Sequence, residues 1–128
     1  MAQLMNKYSN YEVELEEVHH TQKLDSPSGT AITLANDIIN RVDRKDNWVN
    51  TLNNPTGKVF EKTELPIHSF REENIPGTHT IKYNSAVDSI EITHTAHNRK
   101  GFAAGALVAA KWIIGKTGYF EMADLMKF

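Results

Sequence analysis

Between residues 11 and 42 the spacing of apolar side chains changes from two to about 3.6, and that change of period restrains the fold more than any other feature of the chain. Tyr11, Val13 and Leu15 alternate with Glu12, Glu14 and Glu16, the mark of a strand with one face buried and the other in water. Ala31, Leu34, Ala35, Ile38, Ile39 and Val42 then recur at i, i+3, i+4, i+7, i+8 and i+11, which predicts a helix with one buried face. The strand alternation slips at Glu17 and Val18, and the glutamate row reads as a solvated sheet face rather than a catalytic carboxylate pair. In a regular strand His19 and His20 point to opposite faces, so at most one of them leads into a site unless a bulge or a turn intervenes.

The connection between strand and helix, residues 19–30, concentrates the chemistry. His19, His20 and Lys23 offer groups that exchange protons near neutral pH, lysine doing so when partly desolvated. Ser28, Gly29 and Thr30 fall where the helix begins, and a first helical turn carries unpaired N–H groups at the positive end of a dipole. Gly29 has no Cβ to keep an oxygen away from the backbone, and the Thr30 hydroxyl adds a donor. A small carboxylate or phosphate is the natural guest. A helix cap alone accounts for Ser26 or Ser28 as N-cap with Pro27 in the first turn, but it needs neither the histidine pair nor the lysine. Asp25 is read as a partner of Lys23 or a cap rather than a catalyst.

The other segments are simpler. Residues 1–10 place Leu4, Met5 and Tyr8 at helical spacing and read as the end of an element rather than a beginning, with the principal domain at 11–128. No G-x-G-x-x-G follows a strand, so no dinucleotide-binding residue is expected within this chain. Residues 46–65 lack firm periodicity; Asn53-Asn54-Pro55-Thr56-Gly57 is a turn cluster and Trp48 an anchor to the core. Residues 66–72 form a short strand in which Arg71 carries no catalytic role, and residues 78–83 and 87–95 pair as a hairpin. His79 and His94 read as buried, hydrogen-bonded strand histidines. The alanine- and glycine-rich residues 100–114 predict a helix stopped by Gly115, with Phe102, Ala106, Ala110 and Ile113 as its apolar stripe, and the tail from Tyr119 to Met126 is apolar enough to dock. The expected fold is α+β: a mixed sheet of about four strands packed against two main helices.

Composition removes several classes of function. The absence of cysteine excludes disulfides and thiolate sites, and the six histidines show no metal-ligand spacing, so no metal is expected. A net charge of −2 carries no nucleic-acid footprint, and no apolar run nears the ~18 residues of a membrane span. With no signal peptide pattern, a cytoplasmic location is the default reading.

The stretch from Glu17 to Ala31, E-V-H-H-T-Q-K-L-D-S-P-S-G-T-A, resembles the signature of the 4-hydroxy-tetrahydrodipicolinate reductases, the dihydrodipicolinate reductases of bacterial lysine and diaminopimelate biosynthesis. Pro76-Gly77-Thr78-His79-Thr80 resembles the family's G-x-H strand. Ile90 to Ala96, followed by Arg99 and Phe102-Ala103-Ala104-Gly105-Ala106, resembles its last strand and helix, so the likeness covers nearly the whole chain. The resemblance implies the substrate-binding and oligomerisation half of an oxidoreductase that reduces a cyclic dicarboxylate with NADPH or NADH, the nucleotide held mainly by a separate N-terminal domain. Position by position it implies His19 as proton donor and acceptor, Lys23 as proton donor, and His20, Ser28, Gly29 and Thr30 as substrate-binding residues. It further implies a homotetramer in which sheets associate around a barrel-like core. Ser26 and His97 stand where family members often carry other residues. The competing reading is a non-catalytic carboxylate-binding or assembly module.

Overall fold

The alternating residues of the first strand lie at the centre of the sheet, where both neighbours contribute to their burial. The computed structural model describes residues 1–52 and 59–127, so the turn expected at Asn53 to Gly57 lies outside the described residues. The chain divides into two units, Met1–His97 and Asn98–Phe128.

In the first unit the order is α1 (Ala2–Met5), β1 (Glu12–His19), α2 (Gly29–Ile39), β2 (Asn47–Leu52), β3 (Glu64–Arg71), β4 (Gly77–Asn84) and β5 (Ser89–Ala96). The spatial order is β2-β3-β1-β4-β5, with β2, β3 and β1 mutually parallel, β4 antiparallel to β1 and β5 antiparallel to β4. The core gathers Val13 and Leu15 of β1, Leu65 and Ile67 of β3, Tyr83 of β4, and Ala31, Ala35 and Ile38 of α2, with Val42 just beyond the helix. Burying each large aliphatic residue contributes about 1.5–3 kcal/mol, so this face orients the helix on the sheet. Met5 of α1 joins the core, whereas Leu4 and Tyr8 are exposed, so helical spacing there did not mean a buried stripe.

Three expectations change. The sheet has five strands rather than four: β2 is an edge strand whose burial follows no clean alternation, which is why its sequence shows none, although Trp48 does pack against the core. The alternation of β1 does not slip at Glu17, for Val13, Leu15, Glu17 and His19 are all buried. Helix α2 begins at Gly29 with Ser28 as N-cap, its Oγ accepting the Ala31 N–H at 3.2 Å, so Pro27 precedes the cap instead of occupying the first turn.

In the second unit, α3 (Lys100–Trp112) is followed by α4 (Met122–Met126). The helix ends two residues before the expected Ile114, and Gly115 at φ +77° supplies the left-handed turn beyond it. No residue of α3 is buried, so the expected apolar stripe stays uncovered within this unit. The tail does fold back, since Phe120 meets Trp112 edge to face with ring centroids 5.4 Å apart, while Tyr119 remains exposed.

Candidate active site

Strand β1 delivers Glu17 and His19 on the same face as the apolar core because residues two apart in a strand share a face. Strand pairing then brings the remaining groups. Glu17 stands opposite Ser69 of β3 and His79 of β4, and His19 stands opposite Arg71 of β3. A row of polar side chains thus crosses the sheet at the end of the core nearest the start of α2.

Glu17 is fully buried, and one of its oxygens accepts from two residues. Arg71 donates to its Oε1 from both terminal nitrogens, at 3.2 and 3.3 Å, and the Ser28 N–H donates to the same oxygen at 3.3 Å. The other oxygen, Oε2, lies 2.6 Å from Nδ1 of His19. Burial by itself would raise the pKa of Glu17, but the polar neighbours Ser69 and Ser28 and the charge of Arg71 outweigh it, so the carboxyl sits below its ordinary value and is charged at neutral pH. Burial pushes His19 down, reinforced by Lys23 and Arg71 and opposed by Glu17. The ring is therefore neutral near pH 7.

His79 closes the group from β4. Its ring meets that of His19 edge to face at 5.0 Å between centroids, and its Nε2 lies 3.0 Å from Ser28 Oγ. Burial, with the nearby His19, pushes it down to about 4. His94 faces it from β5 but is exposed, since β5 is an edge strand; the expectation of a buried, hydrogen-bonded histidine is met in part by His79, which is half-buried and bonded to Ser28, and fails for His94. Gly77 borders the same ring: a Cβ there would approach His19 Nε2 to 3.0 Å, so the missing side chain keeps that edge of the imidazole clear.

The loop before α2 is pinned rather than loose. Arg71 donates to the Asp25 carbonyl at 2.6 Å and to the Lys23 carbonyl at 3.4 Å. Asn50 of β2 donates to Ser26 Oγ at 2.8 Å and accepts from the Ser69 hydroxyl at 2.7 Å. Lys23 pairs with Asp25 at 2.9 Å and keeps a partly exposed ammonium, and the hydrogen bond from Lys23 holds the Asp25 carboxyl below its usual value.

Of the residues singled out from the sequence, the structure joins His19 and Ser28 through one carboxylate. Ser28 is 2% exposed, with its N–H on Glu17 and its hydroxyl between Ala31 N and His79. Gly29 and Thr30 are exposed on the first turn of α2, and a Cβ at Gly29 would meet nothing within 4 Å, which leaves room for a ligand against the backbone. His20 follows the last residue of β1, half-buried, with its carbonyl accepting the Lys23 N–H at 3.1 Å.

Sequence reasoning missed Glu17, Arg71 and His79 as site members. For Glu17 a signal existed, because counting by twos from Val13 and Leu15 places it on the buried face. Ligand atoms of Glu17, His19 and His79 lie within 4.8 Å of one another, a grouping that linear spacing concealed. The 2.6 Å between Nδ1 and Oε2 is closer than two ligands around one tetrahedral zinc ion, which stand about 3.3 Å apart.

Fold and site together define an α+β domain in which a buried carboxylate–histidine pair adjoins the open N-terminus of a helix, a class suited to holding a small anion and moving a proton beside it. The family model for the dihydrodipicolinate reductase C-terminus matches residues 1–126, and the chain belongs to that family. It is 50% identical over 126 residues to the 4-hydroxy-tetrahydrodipicolinate reductase of Christiangramia forsetii, covering 98% of this chain and 50% of that protein. The reductase of Clostridium novyi is 41% identical over 121 residues, covering 94% of this chain and 47% of its own length. A solved structure, dipicolinate-bound dihydrodipicolinate reductase from Paenisporosarcina sp. TG-14, superposes with a TM-score of 0.59 at 26% identity over 88% of this chain and 46% of that one. The chain spans about half the length of the curated relatives it matches. Among the described residues, no helix is long and apolar enough to cross a membrane.

Proposed function

We propose that this chain is the substrate-binding, proton-donating and oligomerising part of a 4-hydroxy-tetrahydrodipicolinate reductase, acting in the cytoplasm on a cyclic dicarboxylate. The observation that carries the reading is the pairing of His19 with a buried carboxylate beside the uncovered first turn of α2. The dipicolinate named for the Paenisporosarcina enzyme has the chemistry that such a turn would accept.

Reducing the ring of such a substrate requires a hydride and a proton. No G-x-G-x-x-G turn follows a strand of this chain, so its residues do not fit a dinucleotide; NADH or NADPH is assigned to a separate N-terminal domain to which residues 1–10 lead. The part left to this chain is binding and protonation. Gly29 and Thr30 donate backbone N–H groups, and Thr30 its hydroxyl, to one carboxylate, while Ser28 holds the turn in shape. Lys23 and His20 face the substrate's negative charge, and Lys23 supplies a proton. His19, neutral at rest, gains affinity for a proton as the dicarboxylate binds and passes it to the substrate ring atom on which negative charge develops when hydride is added. The exposed Phe102, Leu107 and Val108 of α3 are the apolar surface that a homotetramer would cover.

The test is a titration of the folded chain with pyridine-2,6-dicarboxylate, following the Gly29 and Thr30 amides by NMR. Saturable shifts centred there, abolished by Lys23→Ala, are expected; a folded sample that shows none overturns the reading. With the nucleotide-binding domain attached, His19→Ala and Lys23→Ala are each expected to lower kcat by about 100-fold or more.

A further inference from the structure

The carboxylate of Glu17 touches both halves of the site. Its Oε2 is 2.6 Å from His19 Nδ1, and its Oε1 receives the Ser28 N–H, the residue that caps α2. It is completely buried, so no water competes for either oxygen, and Arg71 balances its charge. We propose that Glu17 is the positioning residue of this site: it holds the proton of His19 on Nδ1, which presents Nε2 to the substrate, and it ties that ring to the helix turn that receives the substrate carboxylate. This rests on the reading of His19 as the residue that exchanges a proton with substrate.

The physical argument is one of tautomers. A neutral imidazole carries its proton on one nitrogen only, and a charged acceptor against Nδ1 decides which. Nε2 is the nitrogen beside Gly77, where a Cβ would stand only 3.0 Å away, so the tautomer selected by Glu17 leaves its lone pair on the side of the ring that no Gly77 side chain covers. A negative charge beside Nδ1 also favours the imidazolium that forms when the ring takes up a proton. The groups facing His19 are Glu17 on its own strand, Arg71 from β3, His79 from β4 and Lys23 from the loop, and of these Glu17 alone favours the protonated ring. Because a single carboxylate holds both the ring and the Ser28 N–H, a shift of the helix turn is transmitted to the proton donor within one side chain.

The test reads the ring directly. In 15N-histidine-labelled chain at pH 8, His19 is expected to show Nδ1 protonated and Nε2 bare; a protonated Nε2, or an even mixture, overturns the proposal, and this measurement needs no variant. In Glu17→Gln the tautomer preference should weaken and the ring should titrate at lower pH than in the unaltered chain. An unchanged tautomer ratio and titration in a folded Glu17→Gln chain also overturns it. In the reductase carrying both domains, Glu17→Gln should lower kcat by about 10- to 100-fold with a smaller change in KM. Loss of folding stability alone would leave the tautomer of the folded fraction untouched. Absence of pyridine-2,6-dicarboxylate binding in the unaltered chain would sink the functional reading, while the tautomer result would still decide the role of Glu17.

Discussion

Strand β1 carries glutamates on both of its faces, and the two sets behave as different kinds of residue. On the outer face Glu12, Glu14 and Glu16 meet Lys45, His68 and Lys82 at 3.1, 3.6 and 2.9 Å, each carboxylate keeping contact with water. On the inner face Glu17 is sealed among Arg71, Ser28 and His19. The outer row tolerates loss of a partner because solvent replaces it. The inner carboxylate has no such substitute, so its partners must all be present together. A buried charge is costly to keep, and its location between a histidine and a helix turn identifies what it is kept for.

The contrast breaks most visibly at Arg71. Arg71→Ala leaves the Glu17 charge in the protein interior with only neutral donors, and it releases the Lys23 and Asp25 carbonyls of the site loop. A stability loss of about 3–5 kcal/mol in urea unfolding is expected. A loss below about 1 kcal/mol would place Glu17 in the same category as the outer row.

Acid sharpens the same comparison. His79 has its pKa depressed to about 4 in the folded chain against an ordinary 6.5, so the unfolded chain binds the extra proton across that interval. The stability that His79 contributes is therefore complete above pH 6.5 and is lost as pH falls toward 4. At full effect the shift corresponds to about 3 kcal/mol, an upper figure because the ring retains some solvent contact. His19 and Glu17, both lowered, act in the same direction. Thermal unfolding should show the midpoint dropping between pH 7 and pH 4, and His79→Gln, which keeps an amide near Ser28, should flatten that drop. Equal pH slopes in both proteins would remove His79 from the buried set.

These inner-face relations show where reading a sequence stops. The period change from strand to helix, the cap at Ser28 and the exposed first turn at Gly29 and Thr30 follow from local spacing, and the structure places them as expected. The burial of Glu17 was also available, since strict alternation from Val13 requires it; a charged side chain on an apolar face reads as an interruption until its partners are known. Arg71 and His79 are different. They are 54 and 62 residues from Glu17 in sequence, and only the pairing of β1 with β3 and β4 sets them beside it. Strand β2 escaped for a related reason, because an edge strand with neither face fully covered has no periodicity to display. His94 misled in the opposite direction: alternation gave its face but not the exposure of the outermost strand.

The smallest expected effect lies on the outer face. Lys82 meets Glu16 at 2.9 Å with the two side chains 24% and 33% exposed, and the pairing raises the Lys82 pKa above its ordinary value. Water and dissolved ions screen such a pair, so Lys82→Ala should cost no more than about 1 kcal/mol, and the cost should shrink further in 0.5 M salt. Arg71→Ala should keep most of its penalty in the same salt, since no ion reaches Glu17. If the two penalties responded alike to salt, burial would not be what separates the two faces, and the inner carboxylate would have no special claim on His19.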